Sequence, residues 1–127
     1  MGRKINMKHV HCEDVPLEDV NVEGASQVQV RWLISDEDGA GNFFMRQFEV
    51  QPGGNTPEHG HDWEHEVYIL DGEGSVLRDG EREQFSPGDV IFCPAGEHHA
   101  FYADRGQKVV FLCLIPAKGK GGGCAAK

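Results

Sequence analysis

Short apolar runs alternate with tight turn sequences along most of the chain. Turn signals rich in Gly, Pro, Asn and Asp recur from Gly24 onward, for example QPGGNTP at 51–57 and SPGD at 86–89. The segments between them are rich in Val, Ile, Phe and Tyr, and several alternate apolar with polar residues, which is typical of β-strands. We therefore predict strands at 28–34, 43–50, 66–70, 75–77, 90–93, 99–103 and 108–115.

Short strands separated by turns at this frequency predict an all-β sandwich or barrel. PLEDV at 16–20 is the one segment in which a helix could start, and it is brief. Pro116 ends the last predicted strand, and the Gly/Lys-rich stretch after it is expected to be flexible. We expect one β-domain over residues 1–116, with its first strand or arm from about residue 5, and a flexible tail over 117–127.

Composition narrows the possible partners. A length of 127 residues is enough for a single domain with one core. The net charge of −9 argues against nucleic acid as a partner, because binding to phosphates needs clustered Lys and Arg. No apolar run reaches membrane-spanning length, so no membrane partner is expected. The chain starts without a secretory signal and its four cysteines form no C-x-x-C pair, which favours free thiols and a cytoplasmic location.

The segment HGHDWEHE at 59–66 places three imidazoles and three carboxylates in eight residues. Side chains at i and i+2 of a strand share one face about 7 Å apart, so His59 and His61 could tilt toward a common ion. His65 comes four residues later and can join them only if residues 62–64 bend the chain. The segment is therefore a candidate metal site, and the alternative is a set of solvated histidines in polar loops.

A second segment, PAGEHHAF at 94–101, offers a further ligand from a distant part of the chain. His98 and His99 stand at the start of a predicted strand. Neighbouring residues of a strand point to opposite faces, so one of the two should reach the interior.

The two segments together resemble the two motifs of the cupin superfamily. The first motif is Gly, five residues, His-x-His, three or four residues, Glu, six residues and Gly; the second is Gly, five residues, Pro-x-Gly, two residues, His, three residues and Asn. The first motif matches at Gly53, His59, His61 and Gly72, and the second matches at Gly88, Pro94, Gly96 and His99. Ala103 stands where the second motif has Asn. The resemblance implies a double-stranded β-helix, or jelly-roll barrel.

The acidic position of the first motif is ambiguous. Three residues after His61 comes His65, and four residues after it comes Glu66; the six-residue spacing to Gly72 fits His65. Apolar residues follow on both faces, so alternation does not decide between them. HDWEHEVYILDGEG and the later FLCLIP at 111–116 further resemble small single-domain cupins that hold manganese with four histidines. That resemblance implies the ligands His59, His61, His65 and His99.

The same resemblance implies one divalent ion, with manganese or iron as the expected metal. Imidazole also suits Zn, Ni and Cu, so the side chains themselves do not select manganese. Four protein ligands on an octahedral ion leave two positions for water or substrate, as a catalytic site needs.

Two further residues are candidates for a role beside the ion. Arg46 shares a strand face with Phe44 and Phe48; inside a barrel it could hold an anionic substrate, and at the rim it would pair with a surface carboxylate. The resemblance places Cys113 near the cavity, although an inert buried thiol is the alternative. Trp63 is expected to cover the site or to pack in a dimer contact. Candidate substrate-pocket residues are Phe48, Trp63, Phe111 and Ile115.

These features favour a metal-dependent oxidoreductase of dioxygenase type acting on a small organic molecule. The alternatives are a non-catalytic metal- or ligand-binding module and a sugar-isomerase-like cupin that uses the ion as a Lewis acid. We also expect a homodimer, because a second copy would cover strand edges and exposed apolar faces.

Overall fold

A computed structural model describes residues 5–120 of the chain. Within this range the fold is all-β, as predicted, with three short 3-10 helices at Cys12–Asp14, Asp36–Asp38 and Ala117–Gly119. The nine strands are β1 Glu18–Asp19, β2 Ser26–Ile34, β3 Phe43–Asn55, β4 His65–Asp71, β5 Gly74–Arg78, β6 Glu81–Phe85, β7 Val90–Cys93, β8 His99–Ala103 and β9 Val109–Pro116.

Six of the seven predicted strand segments lie within an observed strand, and the seventh, 108–115, begins one residue before β9. The suggested helix start at 16–20 is wrong, because Glu18 and Asp19 instead pair antiparallel with Val30 and Gln29 of β2. Pairing with an existing strand edge overrides the weak helical preference of so short a segment.

The strands form one curled sheet with the order β6-β5-β8-β3-β9-β4-β7, and β2 and β1 extend it from β3. β6 and β7 are the two ends of that path. The sheet therefore leaves a gap between these two strands, and this gap is where a ligand can reach the inside.

The concave side of the sheet holds the core. In β3 the residues with inward side chains are Phe44, Arg46, Phe48 and Val50, and all four are buried. Phe48 stacks on Phe111 with ring centroids 5.2 Å apart. The register places Arg46 opposite Cys113 of β9, and Cys113 opposite Val67 of β4. A charged residue and a thiol thus occupy the centre of the core face.

Residues 121–127, which include Cys124 and most of the expected flexible tail, lie outside the described residues. The first residues of that expected tail form the helix Ala117–Gly119, whose glycine is buried. No helix among residues 5–120 has the length and apolar character needed to cross a lipid bilayer.

Candidate metal centre

His59 and His61 lie in the connection between β3 and β4, and not on a regular strand as their spacing suggested. This connection is held against the start of β8. The backbone N–H of His59 donates to the carbonyl of His99 (3.2 Å) and the N–H of His99 donates back to His59 (3.0 Å). Gly96 N–H donates to the carbonyl of His61 (2.6 Å). A two-residue bridge, and not strand pleating, therefore brings the two motifs together.

The chain bends at Asp62 and Trp63, as the position of His65 requires. His65 is the first residue of β4, has 1% of its surface exposed, and faces inward opposite Cys93. The next residue, Glu66, is exposed and faces outward. This geometry resolves the ambiguity in the motif, because the carboxylate lies on the wrong side of the strand to reach the cluster.

His99 is the first residue of β8 and is 4% exposed, whereas its neighbour His98 is exposed. Strand alternation predicts this outcome. The structure therefore supplies one histidine of the second motif to the interior.

The four histidines converge on one point. One nitrogen from each of His59, His61, His65 and His99 lies within 4.8 Å of the others. The Nε2 atoms of His61 and His65 are 2.7 Å apart. Two nitrogens at about 2.1 Å from one ion and at right angles to each other would lie about 3 Å apart, so the spacing suits a shared ion.

Two of these nitrogens have no other function in the fold. Nε2 of His59 and Nε2 of His99 are buried and have no hydrogen-bond partner among the described residues. A buried polar atom without a partner costs free energy, and a metal ion would remove that cost. The residues present therefore fit a divalent ion.

Backbone carbonyls fix the ring orientation of three of the histidines. Nδ1–H of His59 donates to the carbonyl of Pro57 (3.0 Å), and Nδ1–H of His99 donates to that of Glu97 (3.0 Å). His61 does the same with the carbonyl of Trp63 (2.8 Å). With the proton held at Nδ1, the lone pair of each Nε2 is directed at the centre of the cluster.

His65 has side-chain partners instead. Its Nδ1 lies 2.9 Å from Sγ of Cys113, which also accepts a hydrogen bond from Nη2 of Arg46 (3.0 Å). Nη2 of Arg46 is 3.4 Å from the same Nδ1. The guanidinium thus lies behind the imidazole, on the side away from Nε2.

Arg46 is fully buried and does not lie at the rim of the barrel. Its Cζ is 4.8 Å from the ring centroid of Phe48 and 5.4 Å from that of Trp32, distances at which cation–π attraction operates. Nε and Nη1 have no hydrogen-bond partner in the part of the chain that the structure describes. Arg46 therefore contacts His65 and Cys113. Direct contact of Arg46 with a substrate anion stays a prediction.

Burial lowers the pKa of all four histidines below the ordinary value of 6.5. Burial, with the neighbouring rings of His99 and His61, lowers the pKa of His59 to about 4. For His65, burial has the largest effect on the pKa and the charge of Arg46 lowers it further. The cluster is therefore neutral at pH 7, and its lone pairs are free to bind a cation.

This arrangement predicts that the metal-free protein is acid-sensitive. As the pH falls below 6.5, the histidines of the unfolded chain become protonated while those of the folded cluster stay neutral. The stability that depends on the neutral cluster is therefore fully present above pH 6.5 and is lost as the pH falls toward the folded pKa. For His59 this loss falls between pH 6.5 and about 4. Urea unfolding of metal-free protein at pH 7.5, 6.5, 5.5 and 5.0 measures the slope before most carboxylates titrate. The His59→Gln variant should show a shallower slope, and a flat profile in wild type would contradict the prediction.

A cleft of about 700 Å³ opens between β5 and β6 on one side and β7 on the other, at the gap in the sheet. His99 lines it, and its volume is within the usual range for small-molecule pockets. Its inner wall is formed by Val76, Phe85, Ile91 and Cys93, and charged residues at its open side are Arg78, Glu83 and Glu97.

The four side chains proposed for the substrate pocket lie elsewhere. Phe48 and Phe111 are packed in the core, with 0% and 1% of their surface exposed. Trp63 and Ile115 are buried and border a separate hollow at the surface, together with Glu64 and Leu114. The alternation of apolar and polar residues shows which side chains point inward but not where the sheet stays open. It therefore did not predict that side chains of β5, β6 and β7 line a cleft.

Comparison with known protein families places this geometry in context. The Cupin_2 family, described as a cupin domain, matches residues 46–115, which is more than half of the chain. The match includes all four converging histidines.

Individual relatives carry several activities. The structure of the polyketide cyclase RemF from Streptomyces resistomycificus is 43% identical to this chain, with a TM-score of 0.85, and the match covers 88% of this chain and 80% of that one. A 1-methylthio-D-xylulose 5-phosphate methylsulfurylase from Rhodospirillum rubrum is 32% identical over 58% of this chain and 47% of its own length. The quercetin 2,3-dioxygenase of Bacillus subtilis is 26% identical over 68% of this chain and 26% of its own. The chain therefore spans less than half the length of these two relatives.

Proposed function

The chain belongs to the cupin family, and on that premise we propose that it is a metal-dependent enzyme acting on a small organic molecule with ketone or phenol oxygens. The observation that carries this proposal is the convergence of four imidazoles beside a cleft, with two buried Nε2 atoms that lack partners. Neutral ligands leave a divalent ion its full charge, and when bound it would supply Lewis-acid polarisation of a substrate oxygen.

The chain's own residues would hold and orient the reaction partners. The carbonyls of Pro57, Trp63 and Glu97 keep three imidazoles in the binding tautomer. The apolar wall of the cleft would bind the carbon skeleton of the substrate and exclude water from it.

The first candidate reaction is ring closure of a polyketone. The 43% identity to a polyketide cyclase over most of this chain supports it. In such a step a carbon next to one ketone loses a proton and bonds to the carbon of another ketone, whose oxygen is protonated. No oxidant is consumed, so a redox-inactive ion would serve.

The second candidate is a dioxygenase-type oxidoreductase. The similarity to a quercetin 2,3-dioxygenase favours it, although at lower identity. Here both atoms of O2 would enter the product, and manganese, or else iron, is the expected ion. Zinc, nickel and copper fit the imidazole ligands equally well, so metal content must be measured.

Elemental analysis of the purified protein, followed by reconstitution of the metal-free form with Mn, Fe, Zn or Ni, tests these proposals. Anaerobic ring closure of a linear triketone with zinc, without O2 uptake, would support the cyclase. Uptake of O2 with flavonols or salicylates, restricted to manganese or iron, would support the oxidoreductase. Stoichiometric metal without turnover in either assay would favour a binding module, and failure to bind any of these metals would overturn the metal site.

We further propose that the protein is a homodimer through the outer face of β3, β9, β4 and β7. On this face Val90, Phe92 and Tyr68 are 73%, 58% and 47% exposed. Four strands at about 4.8 Å spacing make a face about 20 Å wide, which is several hundred Å² and of the size that marks interfaces. The outer face of a sheet can pack on its own copy about a two-fold axis. The strand register places two rows of neighbouring side chains across this outer face, Met45–Leu114–Glu66–Phe92 and Gln47–Leu112–Tyr68–Val90.

Light scattering after gel filtration at micromolar concentration should give twice the chain mass of 14.0 kDa. Phe92→Lys places a charge on the proposed contact and should give a monomer. Met7→Lys is the matched control, since Met7 is 94% exposed on the N-terminal arm. A wild-type monomer, or an unchanged dimer in Phe92→Lys, would refute the interface.

We propose that the protein is cytoplasmic. Its four cysteines are widely spaced and form no C-x-x-C pair, a pattern that favours thiols in a reducing compartment. Fractionation of the native host would test this location.

A further inference from the structure

The residues after β9 pack against Trp63, which stacks on one histidine of the candidate metal centre. Residues 117–120, which we call the 117–120 segment, begin with the helix Ala117–Gly119. The N–H of Ala117 donates to the carbonyl of Asn42 (3.1 Å), which fixes the start of the segment. The buried Gly119 of this segment faces Trp63.

Gly119 and the indole of Trp63 are in close contact. A Cβ at position 119 would lie 2.9 Å from Cδ2 and from Cε3 of Trp63. The φ angle of Gly119 is outside the left-handed region, so the backbone accepts an alanine there. Space beside the indole, and not backbone conformation, is therefore what requires glycine at this position.

Trp63 in turn holds His61 by two separate contacts. The indole stacks on the imidazole with centroids 3.5 Å apart and planes 7° from parallel. The carbonyl of Trp63 accepts the Nδ1–H of His61 at 2.8 Å. One contact sets the plane of the ring and the other sets the direction of Nε2. His61 is less buried than His65 and His99, so fewer packed neighbours hold its ring. The orientation of the His61 ring therefore depends more on its two contacts with Trp63.

Lys120 fastens the end of the segment to another part of the fold. Its ammonium group pairs with Asp36 and lies 4.0 Å from Glu37, both in the helix Asp36–Asp38. It is also 5.6 Å from the ring centroid of Trp32. The segment is therefore fixed at both of its ends, with Gly119 between them.

We propose that Trp63 and Gly119 are positioning residues for the candidate ligand His61, so that the 117–120 segment sets the metal affinity of the cluster. This inference rests on the proposed metal site. A displacement of the indole removes the stacking that sets the plane of the His61 ring. The indole also lies 4.8 Å from the ring of His65, but His65 keeps its partners Cys113 and Arg46, and His59 and His99 keep their backbone carbonyls. The ion then loses one well-placed ligand of four.

The Gly119→Ala variant tests the contact directly. We measure the affinity of metal-free protein for Ni²⁺ and Zn²⁺ by calorimetry, and the melting temperature with and without metal. Gly119→Ala should weaken binding about tenfold, in line with the loss of other groups that orient a ligand. The added methyl group overpacks the contact, so the melting temperature should fall somewhat without metal, and it should fall further with metal, so that the rise on adding metal is smaller than in wild type. Lys118→Ala, an exposed neighbour in the same segment, is the control and should change neither.

Further variants separate positioning from general stability. Lys120→Gln releases the end of the segment and should weaken binding by a smaller factor, and it serves if Gly119→Ala folds poorly. Trp63→Phe keeps the stacking and the carbonyl, so it should bind more tightly than Trp63→Ala. Wild-type affinity in Gly119→Ala, or equal losses of melting temperature with and without metal, would overturn the proposal. A wild type that binds neither ion would instead refute the metal site itself.

Discussion

Replacing His65 with alanine is expected to abolish metal binding, whereas Glu66→Ala should leave it intact. His65 is buried, and its Nε2 lies 2.7 Å from that of His61 at the centre of the cluster. Glu66 is exposed on the opposite face of the same strand. Loss of groups that only orient a ligand already costs 10–100-fold in affinity, so loss of a ligand should cost more than about 100-fold.

The measurement is calorimetric titration of each metal-free variant with Zn²⁺ and Mn²⁺, together with metal content after purification. Alanine at a fully buried site also leaves a cavity, which costs about 2–5 kcal/mol in comparable core positions. His59→Ala is therefore the companion variant, since His59 is only partly buried and lies in a loop. Equal affinity in wild type and His65→Ala, or loss of binding in Glu66→Ala, would disprove the four-histidine assignment.

Cys113→Val is expected to weaken metal binding about 10–100-fold and to destabilise the protein, whereas Cys113→Ser should retain most of both properties. Sγ of Cys113 accepts from Nη2 of Arg46 and is the partner of Nδ1 of His65. Valine fills a similar volume but accepts no hydrogen bond. It leaves two buried donors without a partner, one of them charged, at a cost of about 2–5 kcal/mol. Serine keeps an acceptor at the same position.

Urea unfolding of the metal-free variants gives the cost in stability, and calorimetry gives the change in metal affinity. If the hydrogen bonds of Cys113 hold His65 and Arg46, the two effects appear together in Cys113→Val and are much smaller in Cys113→Ser. A valine variant that binds metal like wild type would mean that Cys113 is an inert core thiol. Equal behaviour of valine and serine would mean that the hydrogen-bonding capacity of the side chain is irrelevant.

The strands were predictable where one face is buried. β9 alternates along its whole length, with Val109, Phe111, Cys113 and Ile115 buried, and the same pattern is visible in the residues. β6 was missed because Glu81–Phe85 is polar on both faces and only Phe85 is buried. Its pairing with β5 comes from the tight turn between them, which no hydrophobic pattern reveals.

The sequence motifs identified the four candidate ligands, but they did not predict how these residues are held in place. Motif register selected the four histidines that converge in the structure. The strand-face argument for His59 and His61 failed, because a loop and a backbone bridge to His99 place them. The contact of Gly119 with Trp63 joins residues more than fifty positions apart, and local pattern carries no information on such contacts.

The gap between β6 and β7 has a consequence for how such a protein diversifies. The converging histidines stand on the 56–64 connection and at the first residues of β4 and β8, whereas the cleft is walled mainly by β5, β6 and β7. Exchange of Val76, Phe85 or Ile91 would therefore change the shape of the cleft while the four histidines keep their positions. Proteins that bind different small molecules in such a cleft could then differ in those three side chains and share one histidine cluster.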